Sequence, residues 1–104
     1  MKWFIDESEV LDYLEWRRQN PLGFVLNINT WSTTAPSTIN VIHNAGGCPS
    51  LDQSRIENRD RHITKDHPKI CSTVLQELVR EMESKNLSYK YCGLCMQKRG
   101  FQYA

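Results

Sequence analysis

Four cysteines and one histidine are the side chains of this sequence with the most distinctive chemistry. Cys92 and Cys95 lie in KYCGLCMQKRG, His43 and Cys48 in IHNAGGCPS, and Cys71 in HPKICST. Thiolate sulfur and imidazole nitrogen are the ligands that hold Zn²⁺ tetrahedrally in proteins. We therefore predict a zinc site formed either by all four cysteines or by three of them with His43.

The segment from Cys92 to Cys95 has a recognisable ligand spacing. Two cysteines separated by two residues can turn both sulfurs toward one ion, and Gly93 gives that turn a permissive backbone. The other ligands would come from distant segments, so the spacing matches neither a zinc finger nor a zinc ribbon. A bound Zn²⁺ would therefore join parts of the chain that are far apart in sequence.

Three other roles for these residues remain open at this stage. Free cysteine is among the most buried residue types, so the thiols could simply pack in the core. A redox pair of the thioredoxin type opens a helix after a strand, whereas here a predicted helix precedes Cys92. Cys48 and His43 have the residue types of a nucleophile and its base, but no third, orienting residue is marked. We therefore assign no catalytic residue and keep a small Cys/His enzyme as an alternative.

The length and composition indicate one small domain with a modest core. The chain has 104 residues, of which 39% are hydrophobic and 10% aromatic. A bound metal ion would add substantially to the folding free energy of a domain with a core this small. We predict a single domain over residues 1–104, with a flexible tail at 97–104.

The sequence also bears on the compartment. No apolar run approaches the roughly 18 residues that span a membrane. The N-terminal MKWFIDESE carries acids where a signal peptide is apolar. We predict a cytoplasmic protein with no membrane partner, a setting in which structural disulfides are rare.

Two helices and a strand pair are predicted to position the ligands. ESEVLDYLEWRRQ places apolar residues at helical spacing, begins with acids and ends near two arginines, with Asp6 or Ser8 as its cap. TVLQELVREMESKN predicts a second helix, entered just after Cys71 and ended at Asn86. LGFVLNINT and STINVIHN alternate as strands do, and they are predicted to pair as an antiparallel hairpin with His43 near its end.

These elements predict an α+β fold. We expect a small antiparallel sheet, made of the hairpin and one or two short strands, with both helices on one face. Arg61–Thr64 is the segment predicted to add a third strand. A zinc site would close the structure by fastening the hairpin to the second helix.

With no catalytic set evident, the charge distribution and the aromatic residues leave recognition as the predicted role. The net charge is +1, residues 20–50 contain no Asp, Glu, Lys or Arg, and from Ser84 onward there are four bases and no acid. Trp31 lies in an uncharged Ser/Thr-rich loop, where it could stack on a base. The predicted nucleic-acid contacts, most simply to DNA, are Trp31, Thr33, Thr34, Lys90, Lys98 and Arg99. The alternatives are that Trp31 folds back over the hairpin and that the basic end is only a solvated surface.

The order GFVLN, NVIHNAGGC, KIC and CGLC is similar to a small bacterial His/Cys domain of defence-type proteins. That pattern runs as GFV(V/L)N, LHRAxC, KxC and CxxC, and the resemblance covers Gly23 to Cys95. It implies that His43 and the four cysteines belong to one site. This chain departs from the pattern at Asn44, where the pattern has arginine, and by one extra glycine before Cys48.

These observations together predict a zinc-stabilised module that binds nucleic acid, as a recognition or accessory part of a bacterial restriction or antiviral system. The alternative is a protein-binding or inhibitor protein, of phage or bacterial origin, that acts through the uncharged 20–50 hairpin. No oligomeric state follows from the sequence.

Overall fold

A computed structural model describes residues 1–33, 39–48, 67–93 and 95–96. Within these ranges the chain forms five strands and two α-helices, the α+β class predicted from the sequence. The strands are β1 (Lys2–Phe4), β2 (Phe24–Asn27), β3 (Asn40–Asn44), β4 (Lys69–Ser72) and β5 (Tyr89–Tyr91). The helices are α1 (Val10–Gln19) and α2 (Leu75–Ser84), with a 3-10 helix at Glu7–Glu9 before α1.

The strands form one mixed sheet in the order β1-β4-β2-β3-β5. The predicted hairpin is present, because β2 pairs with β3 in antiparallel fashion. β4 lies antiparallel between β1 and β2, while β5 runs parallel to β3 at the far edge. The sheet is therefore not purely antiparallel as expected.

The two helices cover opposite faces of the sheet, not the one face that was predicted. Directly paired residues of neighbouring strands project to the same face, and successive residues alternate between faces. On one face α1 places the ring of Tyr13 against Phe4 and Lys69. On the other face α2 places Met82 beside Asn40. Both faces of the central strands are consequently buried.

The sequence signals at the start of α1 and at the end of α2 act as predicted, whereas the residue before α2, Val74, makes no side-chain capping bond. Asp6 caps the 3-10 turn that leads into α1, and Glu9 completes a capping box by accepting the Asp6 backbone N–H. Asn86 ends α2 in the left-handed conformation, with φ 55°. The N–H groups of Asn86 and Leu87 then donate to the carbonyls of Glu83 and Met82, the pattern of a Schellman motif.

Two strands were not anticipated from the sequence. β1 has three residues and β4 has four, too few to show a period-2 pattern. Cys71 was expected at the entrance of the second helix, but it lies inside β4, where every residue is buried. The strand predicted at Arg61–Thr64 and the tail at 97–104 lie outside the described residues.

Candidate metal centre

His43, Cys48, Cys92 and Cys95 form a buried cluster at the end of β3. One ligand atom from each residue, an imidazole nitrogen or a sulfur, lies within 4.8 Å of all the others. Cys48 Sγ is 3.8 Å from Cys92 Sγ and 3.4 Å from His43 Nδ1. The cluster therefore offers one nitrogen and three sulfurs that could hold a metal ion.

These separations match the geometry of a tetrahedral zinc site. Sulfurs about 2.3 Å from one Zn²⁺ stand about 3.8 Å apart at tetrahedral angles, and a nitrogen about 2.05 Å from the ion stands about 3.6 Å from each sulfur. The measured sulfur–sulfur and nitrogen–sulfur distances of 3.8 and 3.4 Å agree with these values to about 0.2 Å. Two of the donor separations thus have the values expected around one Zn²⁺, and all of them lie within 4.8 Å.

The turn between β3 and Cys48 directs the first two ligands toward each other. Gly46 donates its N–H to the Pro21 carbonyl, and a Cβ on Gly46 would lie 2.8 Å from that same oxygen. Gly47 has φ +72°, a conformation that favours glycine. The Gly-Gly pair therefore lets the backbone turn tightly enough to bring Cys48 back to His43.

The chain after β5 delivers the other two ligands. Cys92 donates its N–H to the Ile42 carbonyl at 2.8 Å, which extends the parallel pairing of β5 with β3. The N–H of Met96 donates to the Cys92 carbonyl at 3.0 Å and closes the turn. The N–H of Asn44 donates to Cys95 Sγ at 3.0 Å, so the backbone of β3 binds the last sulfur directly.

Without an ion, the surroundings of Cys95 favour its neutral thiol. The hydrogen bond between the Cys95 and Cys48 side chains, together with burial, raises the pKa of Cys95, while the Asn44 N–H opposes this rise. Neighbouring thiols that cannot all ionise alone become thiolates when they coordinate a divalent metal. Binding of the ion would thus release the thiol protons and convert the neutral cysteine side chains into thiolates.

Cys71, the fifth predicted ligand, is not part of this group. It pairs with Val25 of β2, and Val25 pairs in turn with His43 of β3. Two interstrand steps of about 4.8 Å separate the backbones of Cys71 and His43. The prediction of Cys71 as a ligand is therefore corrected, because β4 holds this residue two strands away from His43. This placement was not visible in the sequence.

Cys71 instead belongs to a buried polar group under α1. Its pKa is raised to about 12 by burial, against the opposing charges of Lys69 and Arg17. Lys69 donates to Asn27 Oδ1 and to the His67 carbonyl, and burial lowers its pKa to about 7. Sequence reasoning missed this group because a lysine and an arginine are ordinarily surface residues.

Arg17 links this polar group to the metal ligands. Its Nε donates to the Ala45 carbonyl at 2.9 Å, within the turn that runs from His43 to Cys48. Its guanidinium carbon also lies 5.8 Å from the centre of the Tyr13 ring. Helix α1 thereby helps to fix the turn that carries Cys48.

Among the described residues, the predicted nucleic-acid contacts Trp31 and Lys90 lie toward opposite edges of the sheet. Trp31 and Thr33 are exposed in the loop after β2, and the Trp31 ring stacks on Trp3 of β1. Lys90 is exposed on β5, and β1 and β5 are opposite edges of the sheet, four steps or about 19 Å apart. Thr34, Lys98 and Arg99 lie outside the described residues.

Comparisons with known proteins leave the site to be interpreted from its own geometry. No protein-family model matches the chain, and no curated protein sequence or solved structure is significantly similar to it. In the described ranges, neither helix has the length and apolar character needed to cross a membrane.

Proposed function

We propose that this protein is a zinc-stabilised binding module that contacts nucleic acid. The observation that carries the zinc assignment is the convergence of His43, Cys48, Cys92 and Cys95 at separations that fit one tetrahedral ion. Three thiolates and one imidazole form a ligand set typical of structural zinc.

A structural role for the ion fits the positions of its ligands. Four protein donors fill a tetrahedral shell and leave no site for water or substrate, unlike a catalytic zinc site. All four residues are buried, and Cys48 is 0% exposed. The ion would link the segment after β5 to the end of β3, and so stabilise the parallel pairing of these two strands.

The same burial disfavours Cys48 as a nucleophile. Its sulfur is 3.4 Å from His43 Nδ1, a separation compatible with a dyad, but Cys92 Sγ is nearly as close. A nucleophile must reach a substrate, and a fully buried sulfur among further ligands does not. Metal binding explains all four residues, whereas a dyad explains two.

The nucleic-acid part of the proposal is supported by the surface around Trp31. This side chain is 47% exposed, although tryptophan is usually well buried. Its sequence neighbours from 20 to 50 contain no carboxylate that would repel phosphates. The resemblance to defence-type His/Cys domains adds the context of a bacterial restriction or antiviral system.

The protein-binding alternative has less apolar surface than the sequence suggested. The predicted apolar hairpin face is core, because Phe24, Val25, Leu26 and Ile42 are all buried between the two helices. In the described part of the 20–50 segment, the large hydrophobic side chains that remain exposed are Leu22 and Trp31. Binding through this segment would therefore rest on those two residues.

Metal analysis of protein purified without added zinc tests the zinc assignment. We expect about one equivalent of zinc per chain, with one thiol, that of Cys71, left outside the site. Zinc at about 1,000 times its Kd should stabilise the fold by about 4 kcal/mol, so chelation should lower the melting temperature by roughly 15–30 °C. Less than about half an equivalent of metal per chain would contradict the assignment, provided that all four thiols are reduced. Titration of four reactive thiols after unfolding, equally with and without chelator, shows that they are.

A further inference from the structure

A stacked pair of tryptophans stands at the β1 edge of the sheet. The rings of Trp3 and Trp31 are nearly parallel, with an interplanar angle of 12° and a centroid separation of 6.2 Å. Lys85 Nζ, just after α2, lies 5.6 Å from the centre of the Trp3 ring. Trp3 is thus held by two partners, while about half of Trp31 faces solvent.

The two residues that precede Trp31 are hydrogen-bonded to the core. Asn40, which is 0% exposed, accepts the backbone N–H groups of Asn29 and Thr30 on its Oδ1, at 2.7 and 3.0 Å. Asn29 also donates its side-chain amide to the Ile39 carbonyl at 2.8 Å. A side chain presented in this way loses little conformational entropy when a ligand binds it.

The polar groups near the pair are compatible with a nucleotide. Lys85 forms an ion pair with Glu81, so the charges of this cation and this carboxylate largely offset each other. Thr30 and Thr33 supply neutral hydroxyl groups in the same loop. A planar apolar ring beside a cation and hydroxyls provides the contacts used to bind nucleotides, in which a flat base is joined to a phosphate.

We propose that Trp31, backed by Trp3, is a stacking site for an unpaired nucleobase of single-stranded nucleic acid. This inference rests on the proposed nucleic-acid function and names the form of nucleic acid that the protein selects. A base inside a duplex has both faces covered by its neighbours, so it cannot stack on a protein ring without being extruded. An unpaired base offers a free face at no such cost.

The test is fluorescence anisotropy of a labelled oligothymidylate of about twelve nucleotides, alone and annealed to its complement, with the zinc-loaded full chain. Removal of one base stack should weaken binding of the single strand by roughly 5- to 150-fold in the Trp31→Ala variant. Trp31→Phe, which keeps a ring, should retain more affinity than Trp31→Leu, which keeps only apolar bulk. Leu22→Ala is the matched control, because Leu22 is another exposed apolar residue of the uncharged segment.

The outcomes separate this inference from the function on which it depends. Preference for the single strand, lost in Trp31→Ala and kept in Leu22→Ala, supports the stacking site. Equal binding of both forms, or wild-type affinity in Trp31→Leu, overturns the stacking site but leaves nucleic-acid binding in place. No binding of either form overturns the nucleic-acid function as well, and the exposed tryptophan would then fit a protein partner. Circular dichroism and zinc content confirm that each variant remains folded.

Discussion

His43 and Cys71 face the same side of the sheet but are separated by strand β2, on which Val25 is paired with both. His43 therefore reaches the sulfurs of the metal cluster at the end of β3, while Cys71 is directed toward Tyr13 and Lys69 under helix α1. One row of the sheet thus holds a candidate metal ligand and a buried thiol outside the candidate site.

This arrangement predicts different results for two cysteine substitutions. Cys95→Ala removes a ligand, so zinc affinity should fall by more than the roughly 10- to 100-fold that changes around a ligand cost. Cys71→Ala should keep one zinc per chain and lower the free energy of unfolding by only about 1 kcal/mol, because it removes one buried sulfur. Competition with a chromophoric chelator measures both affinities. Equal loss of zinc in the two variants would contradict the assigned ligand set.

Lys69 should make the stability of the protein depend on pH in a defined window. Its pKa falls from 10.5 to about 7 because burial disfavours the charged amine. Between about pH 7 and 10.5 the unfolded chain therefore binds more protons than the folded chain, and the free energy of unfolding rises with pH. Stability is lost as the pH falls toward 7.

The measurement is chemical denaturation of the zinc-loaded protein from pH 7 to 9, compared with Lys69→Met. The rise in unfolding free energy should be larger in the wild type than in the variant. Above about pH 9 the raised pKa values of Cys71 and Tyr13 act in the opposite direction, because their unfolded forms lose protons first. Parallel curves for the two proteins between pH 7 and 9 would show that Lys69 is not the source.

Asn40 should be a strong determinant of both stability and the Trp31 loop. Its side chain accepts two backbone N–H groups and donates to the Ser88 carbonyl at 3.2 Å. Asn40→Ala removes the side-chain partner of these part-buried groups, which should reduce the free energy of unfolding by roughly 1–3 kcal/mol. The N–H groups of Asn29 and Thr30 should also exchange faster with solvent deuterium. Unchanged exchange at both sites would mean that other contacts hold the loop.

Asn86 offers a test of the end of α2 that does not involve the metal. Because it has φ 55° at the position after the helix cap, glycine should fit there with less strain. We expect Asn86→Gly to raise the free energy of unfolding by a few tenths to 1 kcal/mol, and Asn86→Ala to lower it by about 1 kcal/mol. Thermal unfolding of the two zinc-loaded variants provides the comparison. The same sign of change in both would rule out backbone conformation as the cause.

Much of the local structure followed from sequence alone. The cap at Asp6, the end of α2 at Asn86 and the β2–β3 pairing all depend on residues that are close in the chain or on short patterns. The ligand types and the Cys92–Cys95 spacing were likewise sufficient to predict a metal site, because few residue types bind zinc.

The choice among the five possible ligands was decided only by the tertiary structure. Cys71 has the same chemistry as Cys48, but β4 carries it two strands away from His43, and a four-residue buried strand leaves no periodic signal. The stacking of Trp31 on Trp3 was hidden for the same reason, since Trp3 is more than 25 residues away in the chain and lies on the three-residue strand β1. Sequence specifies which chemistry is available, whereas strand order and register determine which side chains meet.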